Sequence, residues 1–222
     1  MNEIIQLISD ENILSALIVT LKLSAISTFF LLFFSIPLAA SFALTKNKIS
    51  HFFEILFTLP IVLPPTVIGV FSSSSEAGEL WYHLFGVDFL FSFSALVIGS
   101  ILYSFPFVLQ PIKNSFLKIP ITYFESADSL GASKWAQFTK IILPLSKEAI
   151  LSAAILGFGI IFMIGGNIPN KTQTSSILLF QYVETLETEK AYALSLILIA
   201  VALIILVTLK VINSKISSKS HI

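Results

Sequence analysis

The chain has 222 residues, of which 55% are hydrophobic and 12% charged, and its mean hydropathy is +0.92. These values exclude an ordinary soluble domain and a disordered chain, and they indicate an integral membrane protein. The 13 basic residues, all lysine, balance 13 acidic ones, so no strongly basic face suggests a nucleic-acid partner. Cysteine is absent and the three histidines are scattered, so we expect neither a metal site nor a cofactor.

Five segments are apolar over the length, about 20 residues, that a helix needs to cross the ~30 Å hydrocarbon core. They are residues 23–44, 55–71, 91–109, 149–164 and 191–209. The mixed stretch 4–21 is expected to lie in the interface or to extend the first helix outward. Acidic residues precede the first lysine, so we expect no cleaved signal peptide and a retained anchor. The prediction is an all-α integral membrane protein with five transmembrane helices in a single domain, residues 1–222.

Lysine placement predicts the orientation, because loops that keep Lys near the ends of spans tend to stay cytoplasmic. Lys171 and Lys190 fall on one side of the predicted spans. Ten lysines fall on the other: Lys46, Lys48, Lys113, Lys118, Lys134, Lys140, Lys147, Lys210, Lys215 and Lys219. The N-terminus is therefore predicted outside and the C-terminus inside.

The predicted spans contain no ionisable residue near mid-membrane. Ion-coupled carriers usually keep such a residue as a relay or ion site, so its absence speaks against a secondary carrier. An integral-membrane enzyme needs paired acids, a histidine cluster or a nucleophile with its base, and the spans offer none. The spans therefore support neither of these two interpretations.

The segment 113–147, between the third and fourth spans, is too polar to be inserted in the membrane. It predicts two short helices, residues 121–130 and 132–142, around Gly131, a residue suited to a left-handed helix end. Pro144 is expected to stop the second helix. Apolar residues recur at helical spacing along this segment, at Ala127, Leu130, Trp135, Phe138 and Ile141. Such a stripe indicates either packing within the chain or docking of a partner.

Two further stretches are unusual for membrane spans and their edges. The second span contains three prolines and Thr66, so it must be distorted, with backbone carbonyls free to face a cavity or with a structural kink alone. Residues 165–174, at the predicted outer end of the fourth span, carry amide and hydroxyl donors that suit an oxyanion better than a cation. The same stretch partly matches a Walker A loop. However, Asn170 replaces the second glycine and Pro169 removes a backbone donor, so we expect no ATP site.

The run from Glu125 to Ser133, continuing to Leu143-Pro144, resembles the "EAA" loop of ABC importer permeases. The resemblance implies that two helices rest in a groove of a separate ATPase subunit and couple ATP hydrolysis to membrane motion. The implied coupling residues are Glu125, Ala127, Gly131, Ala132, Leu143 and Pro144. Ser126 stands where the family has Ala.

From about residue 20 to residue 209 the chain is similar to the permease subunit of molybdate importers. Leu63-Pro64-Pro65-Thr66-Val67-Ile68-Gly69 favours molybdate, whereas Gly166-Asn167-Ile168 is shared with sulfate and tungstate permeases, which stay open as alternatives. The resemblance implies a homodimer in the bacterial inner membrane, with an ABC ATPase dimer and a periplasmic molybdate-binding protein as partners. Candidate pathway or gate residues are Pro64, Pro65, Thr66, Gly166, Asn167, Thr172, Gln173 and Thr174, with Lys171 as a candidate to attract anions at the mouth. The second and fourth spans are shorter than the family's, so an inactive permease-derived scaffold is also open.

Overall fold

The computed structural model describes residues 10–44, 52, 55–58 and 92–218, with side chains through residue 208 and at residue 211. Its helices are α1 (Glu11–Leu44), α2 (Phe93–Leu117), α3 (Ile121–Ser129), α4 (Lys134–Gln137), a π-helical turn (Phe138–Ile142), α5 (Leu143–Leu145), α6 (Lys147–Phe162), α7 (Ser175–Glu184) and α8 (Thr188–Ser218). Within these ranges the only strand-like pairing is an isolated bridge between Gly166 and Gln173. The described part of the chain is all-α, as predicted.

Helix α1 begins earlier than the predicted first span because Asp10 caps it. The Asp10 carboxylate accepts a hydrogen bond from the backbone N–H of Asn12 at 2.9 Å, which satisfies one of the free donors of the first turn. The helix then runs for 34 residues without a break. At 1.5 Å per residue it is about 50 Å long and exceeds the ~30 Å hydrocarbon core. Residues 11–21 therefore extend the first helix rather than lying along the interface.

Three described helices, α1, α2 and the first 21 residues of α8, are long and apolar enough to cross a membrane. Helix α6 has only 16 residues and qualifies as a fourth span only together with the α4–α5 run before it, from which it is bent by 70°. The predicted second span, 55–71, lies outside the described residues except for 55–58, which are helical. The described residues thus contain three or four spans. The count of five spans and the orientation stay predictions.

The main core forms where α1, α2 and α6 meet. A Cβ added to Gly157 of α6 would lie 2.7 Å from Val108 of α2 and 3.1 Å from Leu31 of α1. Leu31 and Val108 are fully buried. The missing side chain therefore lets three helices approach one another closely, as small residues do in membrane proteins. A second cluster joins the start of α1 to α7 and α8 through Ile13, Ala16, Leu178, Tyr182, Ala191 and Leu194.

Buried hydroxyl groups line the interior faces of α1 and α2. Six of them have no hydrogen-bond partner in the described structure: Ser24, Ser27, Thr28, Ser35, Ser100 and Ser104. The small volume of these side chains lets the helices pack closely.

Candidate functional site

The turn between α3 and α4 is built around Gly131, as the sequence predicted. Gly131 has a φ of +72°, in the left-handed region that favours glycine. Its N–H donates to the carbonyl of Asp128 at 3.0 Å, and the N–H of Ala132 donates to the carbonyl of Ala127 at 2.9 Å. This pair of bonds is a Schellman motif, which satisfies the last carbonyls of α3 and turns the chain sharply.

Asp128 braces the same turn, a role that sequence reasoning missed. Its carboxylate accepts hydrogen bonds from Lys134 Nζ at 3.0 Å and from Gln137 Nε2, so it ties the end of α3 to α4. These bonds, the one from Lys134 above all, hold the pKa of Asp128 below its usual value. Ser133 caps α4, since its Oγ accepts from the N–H of Ala136 at 3.2 Å. The cap could have been found as a Ser just before a helical run, but nothing in the sequence marks the Asp128 contacts.

The segment leaves large apolar side chains exposed at this turn. Leu130 is 86% exposed and Trp135 is 72% exposed, on the two sides of Gly131. Ala127, from the same predicted stripe, is buried instead, and Phe138 is half-buried against the ring of Trp135. The stripe is therefore divided: one part packs inside the chain and the other is available to a partner. Glu125 is exposed on α3.

The second half of the segment differs from the prediction that a helix over 132–142 stops at Pro144. Helix α4 starts at Lys134, passes into a π-helical turn and continues through Pro144 to Leu145. In that turn the N–H of Leu143 donates to the carbonyl of Phe138, five residues back. A wider turn of this kind relieves the clash that a proline ring makes with the preceding turn. The break comes at Ser146, where the 70° bend leads into α6.

The stretch between α6 and α7 folds into a compact polar loop, residues 163–174. The carbonyl of Ile168 accepts hydrogen bonds from the backbone N–H groups of Lys171, Thr172 and Gln173 at 2.9–3.2 Å. Asn170 adopts a left-handed φ of 59° at the tip. A Cβ at Gly165 would overlap the Thr174 side chain, and one at Gly166 would lie 2.5 Å from the Thr172 hydroxyl. Both glycines are therefore needed for the two arms of the loop to meet.

The predicted pathway residues of this loop fall into two groups. Thr172, Gln173 and Thr174 are buried, and their side chains bond within the protein: Thr172 Oγ1 accepts from Ile168 N–H, Gln173 donates to Gln181, and Thr174 pairs with Ser176. Asn167 and Lys171 are exposed. The structure thus brings Gly166 together with residues 172–174. Pro64, Pro65 and Thr66 lie outside the described residues.

Thr20 of α1 reaches this loop, and sequence reasoning did not find it. Its hydroxyl accepts a hydrogen bond from the backbone N–H of Ser175 at 2.8 Å, and both residues are fully buried. The two residues are 155 positions apart, and no local pattern links them.

The two candidate regions lie at opposite ends of α6, because the turn segment precedes that helix and the polar loop follows it. Sixteen residues of helix separate them by about 24 Å. Any coupling between the regions must therefore pass along α6 or through the helices packed against it.

The described helices thus form a multi-helix membrane bundle, with a sharply turned polar segment before one short span and a polar loop after it. Residues 32–218 match the family described as binding-protein-dependent transport system inner membrane component. The chain belongs to this family and is the membrane permease subunit of an ABC importer, a multi-pass protein of the inner membrane.

Two curated relatives and one solved structure illustrate the likeness. The molybdenum transport system permease protein ModB of Azotobacter vinelandii is 36% identical over 197 residues, 83% of this chain and 87% of that protein. The sulfate transport system permease protein CysT of Escherichia coli is 26% identical over 174 residues, 73% of this chain and 62% of that protein. A bacterial alginate ABC transporter shares the fold at a TM-score of 0.81 with 18% identity, covering 96% of this chain and 82% of that one.

Proposed function

We propose that this chain is the membrane-spanning subunit of an ATP-driven importer for molybdate. In this proposal two copies form the translocation pathway along their shared interface, and a periplasmic binding protein delivers the anion. A separate ATPase dimer binds the segment from Glu125 to Pro144, here called the coupling segment, on the cytoplasmic side.

The exposed turn around Gly131 supports the part of the proposal that concerns coupling to the ATPase. Leu130 and Trp135 leave apolar surface in water beside a backbone turn that the Schellman bonds and Asp128 hold rigid. A rigid, apolar turn of this kind is suited to a groove on a partner, because it loses little conformational entropy on binding. The segment from Glu125 to Pro144 continues through the 70° bend at Ser146 into α6, so a movement of the bound ATPase is passed to a membrane span.

Similarity to molybdenum permeases supports molybdate as the substrate. Similarity to a sulfate permease supports sulfate as a second candidate, because both anions are tetrahedral and doubly charged. A dianion cannot cross hydrocarbon unaided, so the pathway needs polar donors that open to one side at a time. The exposed Asn167 amide and Lys171 ammonium are suited to meet the anion, whereas Thr172, Gln173 and Thr174 shape the loop that presents them.

Exposed apolar faces provide surface for the proposed homodimer contact. On α8 the side chains of Leu196, Ile199, Leu203 and Ile204 are all more than half exposed in the single chain. Lipid or a second copy of the chain must cover such surface, and a pathway between two copies uses part of it.

Uptake of labelled molybdate into proteoliposomes tests the proposal. The vesicles contain this chain with its ATPase and receive the binding protein from outside, and the matched control omits ATP. We expect ATP-dependent uptake in which excess unlabelled tungstate competes and sulfate competes less. Sulfate uptake without molybdate uptake would support the second candidate. Uptake that does not need ATP would indicate a secondary carrier, and no uptake of any oxyanion would indicate an inactive scaffold.

A further inference from the structure

The hydroxyl of Thr20 occupies an unusual position: it caps a helix that belongs to a distant part of the chain. It accepts the N–H of Ser175, the first residue of α7, at 2.8 Å, and it lies 3.1 Å from the Ser175 hydroxyl. It also lies 2.7 Å from the carbonyl of Ala16, one turn back in α1, to which it donates. The hydroxyl thus lies within hydrogen-bonding distance of three groups, and it accepts from the Ser175 N–H.

Helix α7 needs this contact because its own N-terminus lacks a local cap. The first N–H groups of a helix have no partner within the helix. Thr174, at the N-cap position of α7, makes no capping bond with its side chain. Ser175 is fully buried, so water cannot replace the missing acceptor. A buried N–H without an acceptor is strongly unfavourable, and Thr20 supplies the acceptor from α1.

The polar loop is fixed to α6 by a second set of contacts. The Ser176 hydroxyl donates to the carbonyl of Met163, just past the end of α6, and pairs with the Thr174 hydroxyl. Gly165 packs directly on Thr174. The loop is therefore bonded to the end of α6 at one point and to α1 at another. Helices α1 and α6 meet again at Leu31 and Gly157.

We propose that Thr20 is a positioning residue that anchors the polar loop to α1, so that a shift of α6 relative to α1 changes the loop's shape. This inference rests on the proposed function, in which α6 receives the motion of the coupling segment and the loop carries the groups that meet the anion. Thr20 itself does not contact the substrate. Because its hydroxyl holds the loop to α1, a movement of α6 relative to α1 changes the shape of the loop.

Three variants of α1 test the anchor. Thr20→Val keeps the shape of the side chain and removes the acceptor, whereas Thr20→Ser keeps the acceptor. Thr28→Val is the matched control, because Thr28 is also buried on α1 but its hydroxyl has no partner. If Thr20→Val does not accumulate in the membrane, Thr20→Ala replaces it, since it also lacks the hydroxyl and cannot overpack the site.

Hydrogen exchange of the amides in residues 163–176, measured on the permease–ATPase complex in nanodiscs, is the first readout. Losing a buried acceptor should speed exchange of these amides by about tenfold or more in Thr20→Val. Thr20→Ser and Thr28→Val should stay within about twofold of the wild type. Unchanged exchange in Thr20→Val would overturn the anchor.

The number of molybdate ions taken up per ATP hydrolysed is the second readout. General destabilisation lowers uptake and hydrolysis together, whereas a misplaced loop lowers uptake alone because the coupling segment is intact. We expect this ratio to fall about fivefold or more in Thr20→Val and to recover in Thr20→Ser. An unchanged ratio would overturn the positioning role. A wild-type complex that takes up no molybdate would defeat the proposed function instead, and exchange alone would then decide the anchor.

Discussion

Replacing Gly131 by Asp or by Asn tests separately the effect of a side chain and the effect of a charge at the turn between α3 and α4, here called the coupling turn. Gly131 has a φ of +72°, and a Cβ built there would meet nothing within 4 Å. The only intrinsic cost of a side chain is therefore that of the left-handed backbone, about 1–2 kcal/mol for an ordinary residue and less for Asn or Asp. The two variants have the same shape and nearly the same backbone cost, so any difference between them reports the charge.

The charge matters only if this surface is covered by a partner. Leu130 and Trp135 flank Gly131 and are 86% and 72% exposed. If a groove of the ATPase covers them, a carboxylate at residue 131 loses its water, which costs several kcal/mol without a compensating partner. Lys134, the nearest cation in sequence, already pairs with Asp128. Since about 1.4 kcal/mol is a tenfold change in affinity, the ATPase should bind Gly131→Asp about 100-fold more weakly or worse.

Binding of the purified ATPase to the permease in nanodiscs provides the measurement. We expect Gly131→Asn to bind within about tenfold of the wild type, because its backbone cost stays near 1 kcal/mol. We expect Gly131→Asp to lose ATPase binding and molybdate uptake while it stays in the membrane. Equal binding by the two variants, or normal uptake by Gly131→Asp, would refute docking at this turn.

Three other predictions concern the turn, the orientation and the polar loop. Because the pKa of Asp128 is lowered, its carboxylate stabilises the turn fully above the ordinary carboxyl pKa, and this stabilisation is lost as the pH falls through the lowered pKa. Amide exchange in the turn should therefore respond to acid in the wild type, and Asp128→Asn should abolish this response. In this cysteine-free chain, an impermeant thiol reagent applied outside should label Ser74→Cys, which lies outside the described residues, and spare Ser133→Cys; the reverse pattern would invert the predicted orientation. Gly165→Ala should strongly reduce uptake, whereas Gly159→Ala, with open space around its Cβ, should not; equal uptake would contradict the described loop packing.

Features that depend on a few consecutive residues were predictable. Gly131 was expected to take a left-handed conformation and does, because a helix end of this kind is a property of the local backbone. The predicted spans 23–44 and 191–209 fall within described helices, and the predicted span 91–109 coincides with α2 from Phe93 onward, because a run of apolar residues in a bilayer has few alternatives to a helix.

Features that depend on packing were not predictable from the sequence. Pro144 was expected to end a helix, but a π-helical turn before it accommodates the ring. Helix α7 was not predicted, because its 10 residues are too few to show a clear span and its N-terminus is capped from α1 rather than by its own sequence. Thr172, Gln173 and Thr174 were expected to face a pathway, and whether they do so stays a prediction. Their burial came only from the fold of the loop.

The sequence by itself determined that this chain lies in a membrane, where most of its helices run and which family it belongs to. Hydropathy, helix ends and family motifs all depend on residues that are contiguous in the sequence. Only the tertiary structure decided which hydroxyls are buried, that Asp128 braces the coupling turn, and that Thr20 caps a helix 155 positions away. These contacts join residues that are brought together by the packing of α1, α3, α4 and α7, and no local sequence pattern identifies which polar groups pair.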